Sequence, residues 1–372
     1  MVGIVTDQKL RKLKPFVAMI FLQFGTAGNA LIAKAALNQG MSHYSFVAYR
    51  YAVAAILFSP FAYVFERKVR PGMTVSIFIK IVLLSLLEPV IDQNLYYLGM
   101  KYTTATFAAA MCNVLPAITF LLAWIFKFEK VSIRKLHSQA KILGTIVTVG
   151  GAMILTVVKG PAIEMFWAKG GTGHNAASSS GHSELVKGAL LIIVGLFCWS
   201  FFVILQAHTL KSFPAELSLT SLICLMGSLE GAAVALVAER GNTAIWAIGF
   251  DIKLLAAVYS GILNSGVAYY VQAVVIKDRG PVFSTSFNPL SLIIITILGS
   301  VMLGEQLHVG GVIGAVVIVS GLYLVIWGKR KDLMSRSGDD QLPIEAQKTS
   351  NETAVAEMAS HQGNVTQSDE AV

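Results

Sequence analysis

Residues 77–98 read IFIKIVLLSLLEPVIDQNLYYL, and residues 253–273 read KLLAAVYSGILNSGVAYYVQA. Each is long enough to cross a hydrocarbon core, which takes about 20 apolar residues as a helix. Each carries a Tyr pair, and Tyr96-Tyr97 and Tyr269-Tyr270 stand 173 residues apart. The same offset joins Glu66-Arg67 to Glu239-Arg240, Pro116 to Pro289, Leu37 to Leu210 and Ser45 to Ser218. With an offset of 170, Gly144, Gly151 and Lys159 match Gly314, Gly321 and Lys329. A near-constant offset sustained through five apolar runs marks an internal duplication.

Working outward, the apolar runs lie near residues 16–36, 46–65, 77–98, 103–126, 141–158, 187–207, 217–237, 253–273, 282–303 and 308–327. The chain is 55% hydrophobic and only 13% charged, with a mean hydropathy of +0.66. A soluble domain carries roughly 25% charge, so lipid is the expected solvent. Inside lipid the backbone must satisfy its own hydrogen bonds, and runs this long exclude barrel strands. The expected fold is therefore all-α and membrane-embedded, with ten transmembrane helices. Five helices per copy is an odd number, so the second copy enters the membrane from the opposite side. The two copies form inverted repeats.

The expected organisation is a cytosolic N-terminus (1–15), a first five-helix repeat (16–158), a flexible non-cytosolic linker (159–186), a second repeat (187–330) and a disordered cytosolic tail (331–372). The linker contains Gly170-Gly171-Thr172-Gly173 and Ser178-Ser179-Ser180, a composition of flexible coil. The tail is polar and lacks an apolar period. The first apolar run is too long for a cleaved h-region and is expected to stay as a signal anchor. Lys and Arg number 21 on the amino-terminal side and 6 on the other, which places both termini in the cytosol. The net charge of +8 reads as orientation beside lipid, not as a nucleic-acid surface. Cys112, Cys198 and Cys224 all fall in apolar runs, with no metal-ligand spacing.

Inverted repeats in secondary transporters place a substrate site near the bilayer midplane, between the halves, with alternating access by rocking. Polar residues inside the spans are the candidates for its lining. The third span supplies Glu88, Asp92, Gln93 and Asn94, with Glu88 and Asp92 four apart on one helical face. Pro89 frees a carbonyl beside them. Asn113 precedes Pro116, and Asn288 precedes Pro289; an amide there can bind substrate or satisfy the freed carbonyl. Gln23, Trp199, Gln206, Asn264 and Tyr270 complete the substrate-binding candidates. Lys34 and Arg50, near the non-cytosolic ends of the first two spans, read as snorkelling cations or as a vestibule for a carboxylate. Glu230 in the seventh span has no evident partner. Gly144, Gly150 and Gly151 in the fifth span and Gly310, Gly314 and Gly321 in the tenth read as a close helix contact.

No nucleophile–His pairing, HExxH or GxSxG occurs, so neither an enzyme nor a cofactor or metal site is expected. The stretch Asp92-Gln93-Asn94-Leu95-Tyr96-Tyr97, running through Lys101-Tyr102-Thr103-Thr104-Ala105-Thr106-Phe107 to Asn113 and Pro116, resembles one family. So do Phe287-Asn288-Pro289-Leu290, Leu303-Gly304-Glu305, Gly321-Leu322-Tyr323 and Trp327-Gly328-Lys329. They resemble the plant EamA-domain proteins of the drug/metabolite transporter superfamily, the Walls-Are-Thin-related, nodulin-like or UMAMIT group, over residues 10–330. The resemblance implies export or bidirectional movement of small polar metabolites. Amino acids such as glutamine are the leading cargo, and auxin or another small organic acid is the alternative. It implies a multi-pass protein, in the plasma membrane rather than the vacuolar one, working as a monomer or homodimer.

Overall fold

The computed structural model describes residues 2–102, 111–128, 136–157, 162–163, 182–239, 246–303, 307–328 and 331. Most of the expected linker and nearly all of the expected tail lie outside the described residues, as does the side chain of Lys34.

Apart from one two-residue strand pair the described residues form helices and their connections, and the fold is consistent with ten spans. Among the described residues, seven helices are long and apolar enough to cross a membrane: Leu13–Leu37, His43–Phe65, Val186–Ser212, Glu216–Ala238, Ile252–Arg279, Pro281–Leu298 and Val309–Gly328. They are the first, second, sixth, seventh, eighth, ninth and tenth spans. Leu115–Ile125 and Ser138–Ile154 are shorter apolar helices and belong to the fourth and fifth. The third is assembled from Val75–Ser85, a π-helical segment Leu86–Asp92 and Gln93–Tyr102. Large side chains such as Ile56 (76% exposed) and Val237 (80%) cover the outside, the inverse of a soluble surface and the pattern that lipid contact demands.

The connections sort to two ends. At one end Glu66, after the second span, accepts hydrogen bonds from the backbone N–H groups of Leu217 (2.9 Å) and Ser218 (2.6 Å), at the start of the seventh. Lys277 joins Glu216 at that same end. At the other end Glu239, after the seventh span, accepts from the Ser42 hydroxyl (2.7 Å) at the start of the second. Ala162–Ile163 and Leu307–His308 pair there as a two-residue antiparallel ladder. Glu66 and Glu239 are repeat-equivalent, and each hydrogen-bonds to the start of the other's span. Such reciprocal links require the second and seventh spans to be antiparallel, as inverted copies are.

Between these links the two spans touch along their whole length. Ser59 and Ser221 share a hydrogen bond of 2.7 Å, and the Ser228 hydroxyl donates to the Ala48 carbonyl at 3.3 Å. The fifth and tenth spans also meet backbone to backbone. A Cβ on Gly144 would lie 2.8 Å from the Gly321 carbonyl, and one on Gly151 would lie 3.0 Å from that of Gly314. Gly150 has nothing within 4 Å and faces away, so the expected glycine contact uses two of the three in the fifth span.

Helix irregularities fall at matching places in the two copies. The π segments begin at Leu86 and Ser260, 174 residues apart. The fourth span breaks at Asn113–Val114 and the ninth at Ser286–Phe287, 173 apart by residue number. Pro116 and Pro289 lack the N–H that would pair with the carbonyls of Cys112 and Thr285. Each helix therefore stops at the residue whose carbonyl loses its partner, whether Asn or Ser follows.

Candidate functional site

A buried polar cluster lies where the first π segment meets the second and eighth spans. Pro89 widens the turn there, and Gly227 of the seventh span makes room for it: a Cβ at Gly227 would sit 2.8 Å from the proline ring. A π turn brings residue i+5 back over residue i. The Gln93 amide consequently donates to Glu88 Oε1 at 2.9 Å, and also to Asp92 Oδ2 at 3.3 Å. Glu88, Asp92 and Gln93 are 1%, 6% and 9% exposed.

Arg50 closes the cluster from the second span. Its Nη1 donates to Gln93 Oε1 at 3.3 Å and its Nη2 to the Tyr51 hydroxyl at 2.7 Å. The Tyr51 hydroxyl donates to Glu88 Oε2 at 2.8 Å and lies 2.8 Å from the hydroxyl of Tyr269. Its one proton is committed to Glu88, so Tyr269 is the donor in the second contact. Arg50 Nη2 lies 3.9 Å from Glu88 Oε1; the charges are joined mainly through the tyrosine. Arg50 is 1% exposed. It sits in this core, not at the membrane-edge position that its place in the sequence led us to expect.

The sixth span runs past the cluster with Gly195, Trp199, Phe202 and Gln206 on one stripe, spaced by three and four residues. A Cβ on Gly195 would lie 2.9 Å from Asp92 Oδ1, so the glycine admits the carboxylate. The Phe202 ring stands 5.4 Å from that of Tyr269. Several buried polar atoms along these faces have no hydrogen-bond partner among the described residues: Arg50 Nε, Trp199 Nε1, and both amide atoms of Gln206. Among the described residues Asp92 has no ion pair within 4 Å and accepts only from Gln93.

The other sequence candidates differ in burial. Gln23 and Asn113 are buried, at 5% and 3% exposure. Asn94, Asn264 and Asn288 are half-buried. Asn94 donates to the Val90 carbonyl at 2.7 Å, satisfying part of the widened turn. Tyr270 is 37% exposed, while its neighbour Tyr269 is 2% exposed and in the cluster. Glu230 finds its partner in Ser85, whose hydroxyl donates at 3.0 Å. Sequence reading missed Tyr51, Phe202 and Tyr269. The available signal was proximity: Tyr51 follows Arg50, and Tyr269 belongs to the duplicated Tyr pair.

The cluster is not duplicated. Positions 173 residues beyond Glu88, Asp92 and Gln93 hold Gly261, Ser265 and Gly266. A Cβ on Gly261 would lie 2.6 Å from the Arg50 carbonyl. One copy brings the charges, and the other brings small residues that let them approach.

The model of the EamA-like transporter family matches the chain twice, over residues 13–157 and 186–327. The chain belongs to that family. A WAT1-related protein of Arabidopsis thaliana is 59% identical over 339 residues, spanning 90% of this chain and 91% of the relative. A second is 60% identical over 323 residues, with 87% and 85% covered, and a third is 46% identical over 368, with 96% and 95% covered. This EamA protein is thus a plant WAT1-related membrane transporter and an integral multi-pass protein. A protein of known crystal structure shares the fold at a TM-score of 0.59 and 17% identity, over 83% of this chain and 98% of that one.

Proposed function

We propose that this transporter moves amino acids such as glutamine, as an exporter or bidirectional facilitator, by alternating access between its two inverted repeats. The supporting observation is the complementary set of polar groups at the junction of the repeats. Asp92 offers an acceptor to an ammonium group. Trp199 Nε1, Arg50 Nε and the Gln206 amide offer donors to a carboxylate. A zwitterion needs both, and burying any of these groups unpaired costs about 1–3 kcal/mol or more. Gln23, Glu88, Gln93, Asn94, Asn113, Asn264, Tyr270 and Asn288 complete the proposed lining, with Lys34 and Arg50 serving a substrate carboxylate. Interrupted helices beside the site fit transporters that bind substrate at broken spans. The expected setting is the plasma membrane, with both termini cytosolic and the units 16–158 and 187–330 as the two halves.

Purified protein in proteoliposomes should carry radiolabelled glutamine, or another member of an amino-acid panel, saturably and in either direction. Flux no greater than that of empty vesicles across the whole panel would sink the proposal. The second reading, auxin or another small organic acid, is favoured by the aromatic wall of Tyr51, Phe202 and Tyr269. Competition by an indole acid in the same vesicles discriminates the two.

A further inference from the structure

Glu88 and Asp92 are not equivalent. Both Glu88 oxygens are hydrogen-bonded, to Tyr51 and Gln93, and a guanidinium stands beside it. Among the described residues Asp92 accepts one hydrogen bond, of 3.3 Å, and has no cation within 4 Å, and its Oδ1 is aimed at the open face of Gly195. Among the described residues, the ionisable groups facing Asp92 are Glu88, Tyr96 and Tyr97 on its own span, Arg50 on the second, Cys112 on the fourth and Cys198 on the sixth. Arg50, the one cation among them, is already hydrogen-bonded to Gln93 and Tyr51. An ionised carboxylate so placed lacks the pairing that a buried charge needs, and neutralisation is the cheap alternative.

We propose that Asp92 is an exchange site, which holds a proton when the transporter is empty and gives it up to receive the substrate's ammonium group. The Asp92–ammonium pair is neutral, as the protonated acid was, and the substrate's carboxylate carries its own charge to the donors of Trp199 and Arg50. The carboxylic O–H breaks, the proton leaves to water on the side from which substrate enters, and the carboxylate accepts N–H hydrogen bonds from the ammonium. When substrate departs on the far side, a proton from that side returns. The transporter would then take cargo one way and a proton the other, and an organic anion without an ammonium group would not discharge the site. This inference rests on the amino-acid reading above, and it would convert a passive facilitator into an exchanger.

The test uses full-length protein in vesicles carrying a pH-sensitive dye, with glutamine as the probe. Added glutamine should move protons outward from the lumen. An imposed inside-acid gradient should drive glutamine above its equilibrium level. Apparent glutamine affinity should rise about tenfold per pH unit over the range in which Asp92 holds its proton, because one proton is released per substrate bound. Asp92→Asn should flatten that pH dependence and abolish proton movement. Glutamine flux in the wild-type protein without proton movement, and with pH-independent affinity, overturns the exchange while leaving amino-acid transport standing. Absence of flux for every amino acid overturns both. The wild-type measurements decide the matter even where Asp92→Asn fails to fold.

Discussion

Arg50 shows why a buried charge is tolerable in this membrane protein. Its guanidinium reaches Glu88 chiefly through the Tyr51 hydroxyl, which accepts from Arg50 and donates to Glu88. Removing one member leaves the others desolvated and unpaired. Arg50→Met should therefore cost about 3–5 kcal/mol, and the double change Arg50→Met with Glu88→Leu should recover more than half of it. Unfolding equilibria in mixed micelles measure both. A double variant no more stable than the single one would show that the pairing is not what holds Arg50 in place. At this scale the sequence exposes the charges but not their partners. Glu88 and Asp92 share a face by spacing, yet only the packed neighbours separate an acid bonded at both oxygens from one bonded, among the described residues, at a single oxygen.

At the scale of elements, small residues decide which helices approach. Gly261 lies against the backbone of Arg50, and an added Cβ would meet that carbonyl at 2.6 Å. A main-chain oxygen in a packed span cannot swing aside, so Gly261→Ala should destabilise by about 1–3 kcal/mol through overpacking. Gly150 offers the contrast. It is exposed and open, and Gly150→Ala should be neutral or stabilising by up to about 1 kcal/mol, because alanine is the better helix former. Parallel thermal melts of the two variants check the contrast; equal shifts would refute the assignment of Gly261 to the interface. The π segments and proline breaks belong to this scale too. Pro89, Pro116 and Pro289 announce interruptions in the sequence. That the eighth span has a π segment without any proline does not follow from residue types, and it is visible only in the packed helix.

For the whole molecule, the paired second and seventh spans form the axis. They are tied at their ends by Glu66 and Glu239 and joined midway by Ser59 and Ser221. The interrupted third, fourth, eighth and ninth spans are the parts able to change shape, since a broken or widened helix bends more readily than a continuous one. A disulfide from Ser59→Cys and Ser221→Cys, whose hydroxyl oxygens stand 2.7 Å apart, should form and leave flux within about twofold, as additive local changes at a non-moving contact do. Flux measured before and after reduction tests this. Arrest on oxidation and recovery on reduction would mean that the axis itself slides.

The amino-acid sequence by itself determined the solvent, the element type and the duplication, because hydropathy, run length and a 173-residue offset are properties of the chain that no folding changes. It also marked Glu88, Asp92 and Gln93, since polar groups inside an apolar run are costly wherever the run packs. Only the tertiary structure decided which of these groups are satisfied. It moved Arg50 from the expected helix end into the core, chose Tyr269 over Tyr270, and set the Asp92 carboxylate against Gly195. Each of those outcomes depends on which neighbouring helix face arrives, and contacts between spans far apart in the chain leave no local trace in either partner.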